Sequence, residues 1–327
     1  MADNMLEVKN LCKYYKTKRG LLHAVEDISF SIGQKKTLGV VGESGCGKST
    51  LGKTILGLDE ATSGKILFKG EDITHLPRKK RRDYCKYMQM IFQDPYSSLD
   101  PRMTVQDLIA EPLTICGKAR NKKDAQPEVK KLMDTVGLAD RFSQSYPHEL
   151  DGGRRQRIGI ARALASDPDF IVCDEPVSAL DVSIQAQVLN LLKEIQEQRG
   201  LTYIFITHNL SVVKHISDEI LVMYMGSFVE KCEADELFKN TLHPYSKGLL
   251  SAIPIPSIHA DRERIRMQGE ITSPVNPKPG CRFAPRCPYT TEECRQKTPE
   301  IRELLPDHFV ACHHAESINE LPAKEVN

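Results

Sequence analysis

The sequence predicts an α/β fold built on a parallel sheet, and three observations carry that expectation. The apolar run Thr37–Val41 leads into the glycine-rich turn Gly42–Gly47. A helix-periodic stretch follows from Lys48 to Leu58, with Leu51, Ile55 and Leu58 at helical spacing. Two later apolar runs, Phe170–Cys173 and Tyr203–Ile206, are short and continuous, as strands covered on both faces are.

Further elements follow in order. The stretch from Asp94 to Asp167 reads as mostly helical. Val129, Leu132, Met133 and Val136 recur at helical spacing, and Gly137 sits where such a helix should stop. Ile184, Val188, Leu191, Leu192 and Ile195 mark an amphipathic helix ending near Gly200. Ile220–Tyr224 and Ser227–Lys231, split by Met225 and Gly226, predict an antiparallel hairpin that closes the sheet. From Pro254 the texture changes: Pro254, Pro256, Pro274, Pro277 and Pro279 punctuate an extended connection over 254–280. A compact cysteine segment spans 281–314, and the polar tail 315–327 is expected to be disordered.

Composition narrows the function. The 327 residues, 40% hydrophobic and 27% charged, suit one large core with a small extra module and exclude a disordered or collagenous chain. A net charge of +1 provides no global attraction to nucleic acid. The first residues, Met1–Met5, lack the pattern of a signal peptide, and no apolar run approaches the roughly 18 residues of a spanning helix. A cytosolic chain is expected, with any membrane contact made through a partner. Its 10 cysteines are then thiols or metal ligands rather than disulfides.

Gly42-Glu43-Ser44-Gly45-Cys46-Gly47-Lys48-Ser49 fits the phosphate-loop pattern G-x-x-x-x-G-K-[ST] at every fixed position. Its glycines let the backbone turn so that N–H groups face phosphate oxygens, and the helix from Lys48 adds its positive end. Lys48 is expected to neutralise the β- and γ-phosphates, Ser49 to ligate Mg²⁺, and Thr50 to complete the contact. The buried run at Phe170 ends in Asp174 and Glu175, one to hold the Mg²⁺ shell and one to activate the attacking water. His208 follows the next buried run, at the sheet edge where ligands gather in such folds. No internal repeat is present, so one ATPase unit is expected per chain.

Together these residues resemble the ABC transporter nucleotide-binding family over about Leu6 to Ile253. Ile91-Phe92-Gln93-Asp94-Pro95 resembles the family's Q-loop, Leu150-Asp151-Gly152-Gly153-Arg154 its signature, and Ser178-Ala179-Leu180-Asp181 its D-loop. His208 matches the switch histidine, and Tyr15, or its neighbour Tyr14, the aromatic that stacks on adenine. The resemblance implies a P-loop, RecA-like parallel-sheet core over 1–253 with an antiparallel β region, a helical subdomain near 95–167, and a small C-terminal cysteine module. It also implies a two-chain mechanism in which each ATP lies between one subunit's phosphate loop and the other's signature. Glu175, His208, Gln93 and Asp181 then form the hydrolytic set. Gln93 joins Ser49 and Asp174 around Mg²⁺ and couples the nucleotide to the transmembrane subunits.

The signature departs from the family pattern: Asp151 stands where serine is usual and Arg154 where glutamine is usual. An ionised carboxylate cannot donate to a γ-phosphate, and a like-charge contact at about 4 Å costs on the order of 4 kcal/mol at an effective dielectric near 20. Arg154 can offset part of that. The departure therefore leads to the expectation of a second, non-identical ATPase partner and two unequal nucleotide sites.

Cys281, Cys287, Cys294 and Cys312 can supply four thiolates to one centre, although no gap is the short one usual for structural zinc. Unpaired buried thiols are the simpler alternative. His243-Pro244-Tyr245, the segment Gly269–Pro274 and the cysteine segment resemble the C-terminal extension of dipeptide/oligopeptide importer ATPases. That branch associates the four cysteines with a [4Fe–4S] cluster; remoteness in sequence from the nucleotide motifs points to a structural role. The resemblance further implies two permease subunits, an extracytoplasmic solute-binding protein, and a peripheral place on the cytoplasmic face of the cell membrane. A related nickel or other solute importer and a soluble non-transport ABC ATPase are the alternatives. The basic run Arg78–Arg82 reads as a solvated helix face, and His313 and His314 as surface residues.

Overall fold

The computed structural model describes residues 4–253, 265, 267, 269 and 273–321, except for the side chain of Arg78. In chain order, β1 (Asn4–Thr17), β2 (Gly20–Gly33) and β3 (Thr37–Val41) precede α1 (Lys48–Ile55). Next come β4 (Ser63–Phe68), β5 (Glu71–Asp72), α2 (Arg78–Tyr84) and β6 (Met88–Ile91). The helices α3 (Pro95–Ser98), α4 (Val105–Ile115), α5 (Lys122–Thr135) and α6 (Gly152–Ala165) follow. Then β7 (Phe170–Asp174), α7 (Val182–Arg199), β8 (Thr202–Thr207), α8 (Leu210–Ile216), β9 (Glu219–Tyr224) and β10 (Ser227–Glu233) alternate. The chain continues with α9 (Ala234–Lys239), α10 (Pro244–Ser251), α11 (Glu292–Gln296), β11 (Arg302–Leu305), β12 (His308–Val310) and α12 (Ala315–Ile318). Two compact units result: Met1–Met5, Ile32–Lys36 and His75–Ile206 form one, and Leu6–Ser31, Thr37–Thr74 and Thr207–Asn327 the other.

In the first unit β6, β7 and β8 run parallel, with Met90 opposite Val172 and Val172 opposite Ile204. Every residue of β7 is buried, as its unbroken apolar run requires. The helical stretch starts each long helix with a polar cap: the Thr104 hydroxyl accepts from Asp107 N at 3.4 Å, and the Asn121 side chain accepts from Asp124 N at 3.0 Å. The inward face of α5 carries Val129, Leu132 and Met133, each burial contributing roughly 1.5–3 kcal/mol. Gly200 ends α7 in the left-handed region at φ +64°, where a side chain would be strained.

In the second unit β2, β1, β4 and β5 form an antiparallel sheet in that order. The strand before the phosphate loop, β3, pairs in parallel with β9, Val40 lying opposite Leu221. The predicted hairpin β9–β10 is present, with Ser227 opposite Tyr224. It does not close the sheet: β12 pairs with β10 and β11 with β12, so residues between Cys294 and Cys312 extend it by two strands. The reason is a buried polar knot that the apolar pattern conceals. The carboxylate of Glu230 on β10 meets His308 Nε2 at 2.8 Å and accepts from Leu242 N at 2.7 Å and His243 N at 3.1 Å.

Other expectations are adjusted. The helix α1 stops at Ile55, short of Leu58, because the chain turns at Gly57 with φ +68° and leaves Leu58 57% exposed. Part of the predicted extended connection is tied down: Asn276 N donates to Leu21 O at 2.8 Å and Leu21 N to Asn276 Oδ1 at 2.8 Å. Pro254, Pro256 and Glu270–Thr272 lie outside the described residues. The tail is not uniformly without structure, since α12 forms and buries Ala315. His313 and His314 are half-buried; His314 Nε2 hydrogen-bonds Thr291 Oγ1 at 2.8 Å and His313 Nε2 meets Lys297 O at 3.0 Å. The basic run lies on α2 with Lys79, Lys80 and Arg82 exposed, as expected. Among the described residues no helix is long and apolar enough to cross a membrane.

Candidate functional site

The phosphate loop is built from β3, a turn of glycines and α1. Gly47 has φ +104°, and a Cβ there would come within 2.0 Å of Ala24 O; Gly42, at φ +154°, would meet Met223 O at 2.2 Å. Both glycines are therefore demanded by the backbone and its neighbours. Lys48 is 5% exposed, and its Nζ donates to Gly42 O at 2.8 Å and Glu43 O at 3.0 Å, with Cys46 Sγ at 3.7 Å. Ser44 and Gly45 are exposed, whereas Ser49 and Thr50 are half-buried on the first turn of α1. No side chain caps that turn, so its N–H groups can face an anion. Burial raises the Cys46 thiol above its ordinary range, against the opposing effect of the Lys48 ammonium.

The two tyrosine candidates separate on their contacts. Tyr14 stacks on His23 at 4.1 Å and donates its hydroxyl to Glu26 Oε1 at 2.6 Å. Tyr15 donates to Asp59 Oδ2 at 2.8 Å, and burial with that bond pushes its phenol up to about 12. The Thr50 side chain acts on the same phenol, which ties Tyr15 to the helix of the phosphate loop. Lys13 Nζ lies 4.6 Å from the centre of the Tyr15 ring.

In the unit that holds β7, Asp174 is 4% exposed at the strand tip and Glu175 follows with φ +47°, an uncommon conformation for a non-glycine residue. The turn is held by Glu175 N donating to Ile206 O at 2.9 Å and by Ser178 Oγ donating to Glu175 O at 3.1 Å. Gln93 Nε2 donates to Glu175 Oε2 at 3.1 Å, so the Q-loop glutamine and the glutamate after the strand tip, far apart in sequence, meet. Asp181 stands exposed at the N-cap position of α7, with no side-chain capping bond. His208 is exposed just after β8 and belongs with the phosphate loop to the second unit.

The signature turn starts α6. Asp151 is its N-cap: Oδ1 accepts from Arg154 N at 2.8 Å, and Oδ2 pairs with the Arg154 guanidinium. Leu150 is buried, and Gly152 and Gly153 lie on the first turn, where a Cβ on Gly153 would press into Ile184 at 2.7 Å. The carboxylate that departs from the family pattern is thus engaged within its own turn.

Cys281, Cys287, Cys294 and Cys312 line a single cavity with Phe283, Ala284 and Tyr289 among its walls. Burial pushes the Cys281 thiol up to about 11 and the Cys312 thiol up to about 12, and raises Cys287 too, the neighbouring cysteines adding to each shift. Among the described residues no three His, Cys, Asp or Glu side chains can hold one metal ion. All ten cysteines are free of disulfides.

The segment, remote in sequence from the phosphate loop, lies against it in space. Arg286, between Cys281 and Cys287, makes a two-pronged ion pair with Glu43 of the phosphate loop, at 2.6 and 3.0 Å. Arg282 reaches Glu26 at 2.8 Å, and the Tyr245 hydroxyl accepts from Glu43 N at 2.9 Å. Sequence reasoning missed Arg282, Arg286 and Tyr245, and their only signal was placement within the motifs of the C-terminal extension.

Comparison with known proteins agrees with this geometry. A family model described as "ABC transporter" matches residues 25–178, and one described as "Oligopeptide/dipeptide transporter, C-terminal region" matches residues 229–294. The chain is 52% identical to the oligopeptide transport ATP-binding protein OppF of Bacillus subtilis (strain 168), over 97% of this chain and 98% of that protein. It is 46% identical to the di/tripeptide transport ATP-binding protein DppF of Pseudomonas aeruginosa (strain UCBPP-PA14), over 96% and 98% respectively. Among solved structures it is similar to a dimeric ATP-binding cassette in a post-hydrolysis state bound to ADP and Pi. That likeness has a TM-score of 0.65 at 26% identity and covers 70% of this chain and 99% of that one. A phosphate loop, a Q-loop glutamine bonded to a strand-tip glutamate and full-length likeness to such proteins leave one conclusion: the chain belongs to the ABC transporter family, as an ATP-binding and ATP-hydrolysing subunit of the branch with the oligopeptide/dipeptide C-terminal region.

Proposed function

We propose that the chain energises an importer of dipeptides and oligopeptides, binding and hydrolysing ATP at the cytoplasmic face of the cell membrane as a peripheral subunit. The observation that carries this reading is the likeness to peptide-transport ATP-binding proteins along nearly the whole chain, through both the ATPase region and the C-terminal region. Its partners are two transmembrane permease subunits, an extracytoplasmic solute-binding protein and a second ATPase subunit. A groove of the first unit supports permease docking, since exposed Phe92 and Ile115 line it beside the Q-loop.

Lys48 neutralises the terminal phosphates, with the N–H groups of the loop from Gly42 to Gly47 around them. Tyr15 stacks on the adenine. Ser49, Gln93 and Asp174 present the oxygen donors that suit Mg²⁺, which when bound neutralises charge between the β- and γ-phosphates. Glu175 takes the proton of the attacking water, and the Gln93 bond holds its carboxylate meanwhile. His208 contacts the γ-phosphate, and Asp181 reaches toward the partner. The signature Leu150–Arg154 serves the partner's nucleotide.

The ATPase partner is non-identical in this reading, and the two sites are unequal. Asp151 already accepts from its own turn and pairs with Arg154, so it offers no donor to a partner's γ-phosphate. The hydrolysing site is therefore the one built on Lys48, Glu175 and His208. Four thiols lining one cavity supply the soft sulfur donors that a [4Fe–4S] cluster takes, with zinc as the alternative occupant.

ATPase turnover of the assembled transporter tests the assignment. Glu175→Gln should lower it on the order of 10²-fold or more. Turnover that survives nearly intact places the hydrolysing site elsewhere. Iron and sulfide assays after anaerobic purification decide the occupant of the cysteines.

A further inference from the structure

The five residues between Cys281 and Cys287 carry two arginines, and both leave the cysteine segment for the nucleotide-binding framework. Arg282 reaches Glu26 on β2 and the Met225 carbonyl. Arg286, only 7% exposed, takes both carboxylate oxygens of Glu43. Glu43 is the second residue of the phosphate loop, and its backbone is held as well, its N–H donating to the Tyr245 hydroxyl at 2.9 Å. Its carbonyl, with that of Gly42, is where the Lys48 ammonium rests. The place of Glu43 therefore sets the place of the lysine that meets phosphate.

The far end of this linkage is the cysteine cavity. Phe283 lines it and meets Tyr245 edge to face at 5.4 Å and Tyr224 at 5.3 Å. Cys281 and Cys287 pack against the same buried cluster. A planar guanidinium gripping a carboxylate with two bonds specifies orientation as well as charge, which a single point contact does not. Buried ion pairs contribute little net stability compared with apolar packing, so stability alone is a poor account of this one.

We propose that Arg286 and Tyr245 are positioning residues for the phosphate loop, acting through Glu43, so that the four-cysteine segment tunes the affinity of that loop for ATP. The inference rests on the ATP reading of the loop. The brace preorganises Glu43 and Lys48 before nucleotide arrives, and its loss adds an ordering cost to binding.

The test uses the full chain in its assembled transporter, with equilibrium binding of Mg-ATP analogue and steady-state kinetics. Arg286→Ala should raise Kd and KM about tenfold with kcat changed less than about twofold, since a small displacement of a positioning contact is amplified at the site. Arg286→Lys, which keeps the charge and loses the fork, should fall between. Arg302→Ala is the control: it breaks another two-pronged pair of the same segment, to Glu316 at 2.6 and 2.8 Å, away from the loop. It should lower thermal stability and leave KM alone. Cys287→Ser should raise Kd in the same direction and combine with Arg286→Ala sub-additively, because both act through one linkage. Unchanged Kd in Arg286→Ala, an equal rise in Arg302→Ala, or strict additivity with Cys287→Ser overturns the brace. Failure of the wild-type chain to bind Mg-ATP analogue overturns the nucleotide reading beneath it, an outcome distinct from a null in Arg286→Ala.

Discussion

The phosphate loop and the signature turn are both glycine-rich entries to a helix, and they treat the helix end in opposite ways. At α1 the N-cap is Gly47, with no side chain to fill the first turn. At α6 the N-cap is Asp151, whose carboxylate already takes the Arg154 N–H. A helix N-terminus favours an anion, and the first turn leaves its N–H groups without partners in the helix. One turn therefore keeps its place for a phosphate, while the other carries an anion of its own. The contrast extends to support. The open loop is held by residues far away in sequence, Tyr245 and Arg286, whereas the filled turn is closed by residues within itself. Openness toward ligand is matched by external bracing, because a turn without a side-chain cap of its own draws its support from elsewhere.

The strongest way to break this comparison is to remove the charge that waits in the open loop. Lys48→Ala should weaken Mg-ATP binding on the order of 10²-fold, the usual cost of about 2–5 kcal/mol for truncating a buried charge contact. Calorimetry measures it directly, and unchanged affinity would place the phosphates elsewhere. The next effect concerns the external support. His243 caps α10, its Nδ1 accepting from Tyr245 N at 3.0 Å, and burial depresses its imidazole to about 4. A folded value below the unfolded 6.5 means that the unfolded chain binds the extra proton. Stability is then full above 6.5 and is lost as pH falls toward 4, by about 3 kcal/mol in all. His243→Asn keeps a capping oxygen and removes the titration, so the slope of unfolding free energy over that window should flatten. A slope equal to wild type assigns the acid sensitivity to other groups.

The smallest effect probes the filled turn. Asp151→Ala removes the cap of α6 and should lower stability by about 1 kcal/mol, read from the denaturant midpoint. Asp151→Asn retains a capping oxygen and should recover most of that loss. If both substitutions destabilise equally, the Arg154 ion pair holds the turn and the cap does not.

The site residues that sit within contiguous motifs were legible because their chemistry is local. Gly42 through Ser49 form one turn whose φ angles and helix start are written in eight neighbouring residues. Asp174 and Glu175 end an apolar run that can only be a buried strand. The stop of α5 at Gly137 and that of α7 at Gly200 followed from left-handed caps. Less legible was the end of α1, where Leu58 keeps helical spacing but Gly57 has already turned the chain. The sequence leaves Tyr14 and Tyr15 side by side, and only the fold gives them different partners, His23 for one and Thr50 for the other.

Periodicity, turn chemistry and motif spacing alone determined the α/β class, the phosphate-loop turn, the pair of acids at the strand tip and the four candidate thiols, since each depends on residues close together in the chain. Only the tertiary structure decided that the cysteine segment reaches the phosphate loop and that β12 extends the sheet. Those facts depend on side chains meeting: Arg286 with Glu43 and His308 with Glu230. A pairing across 78 or 243 residues leaves no period or spacing in a single sequence, because it is set by where folding brings the backbone and not by the order of the chain.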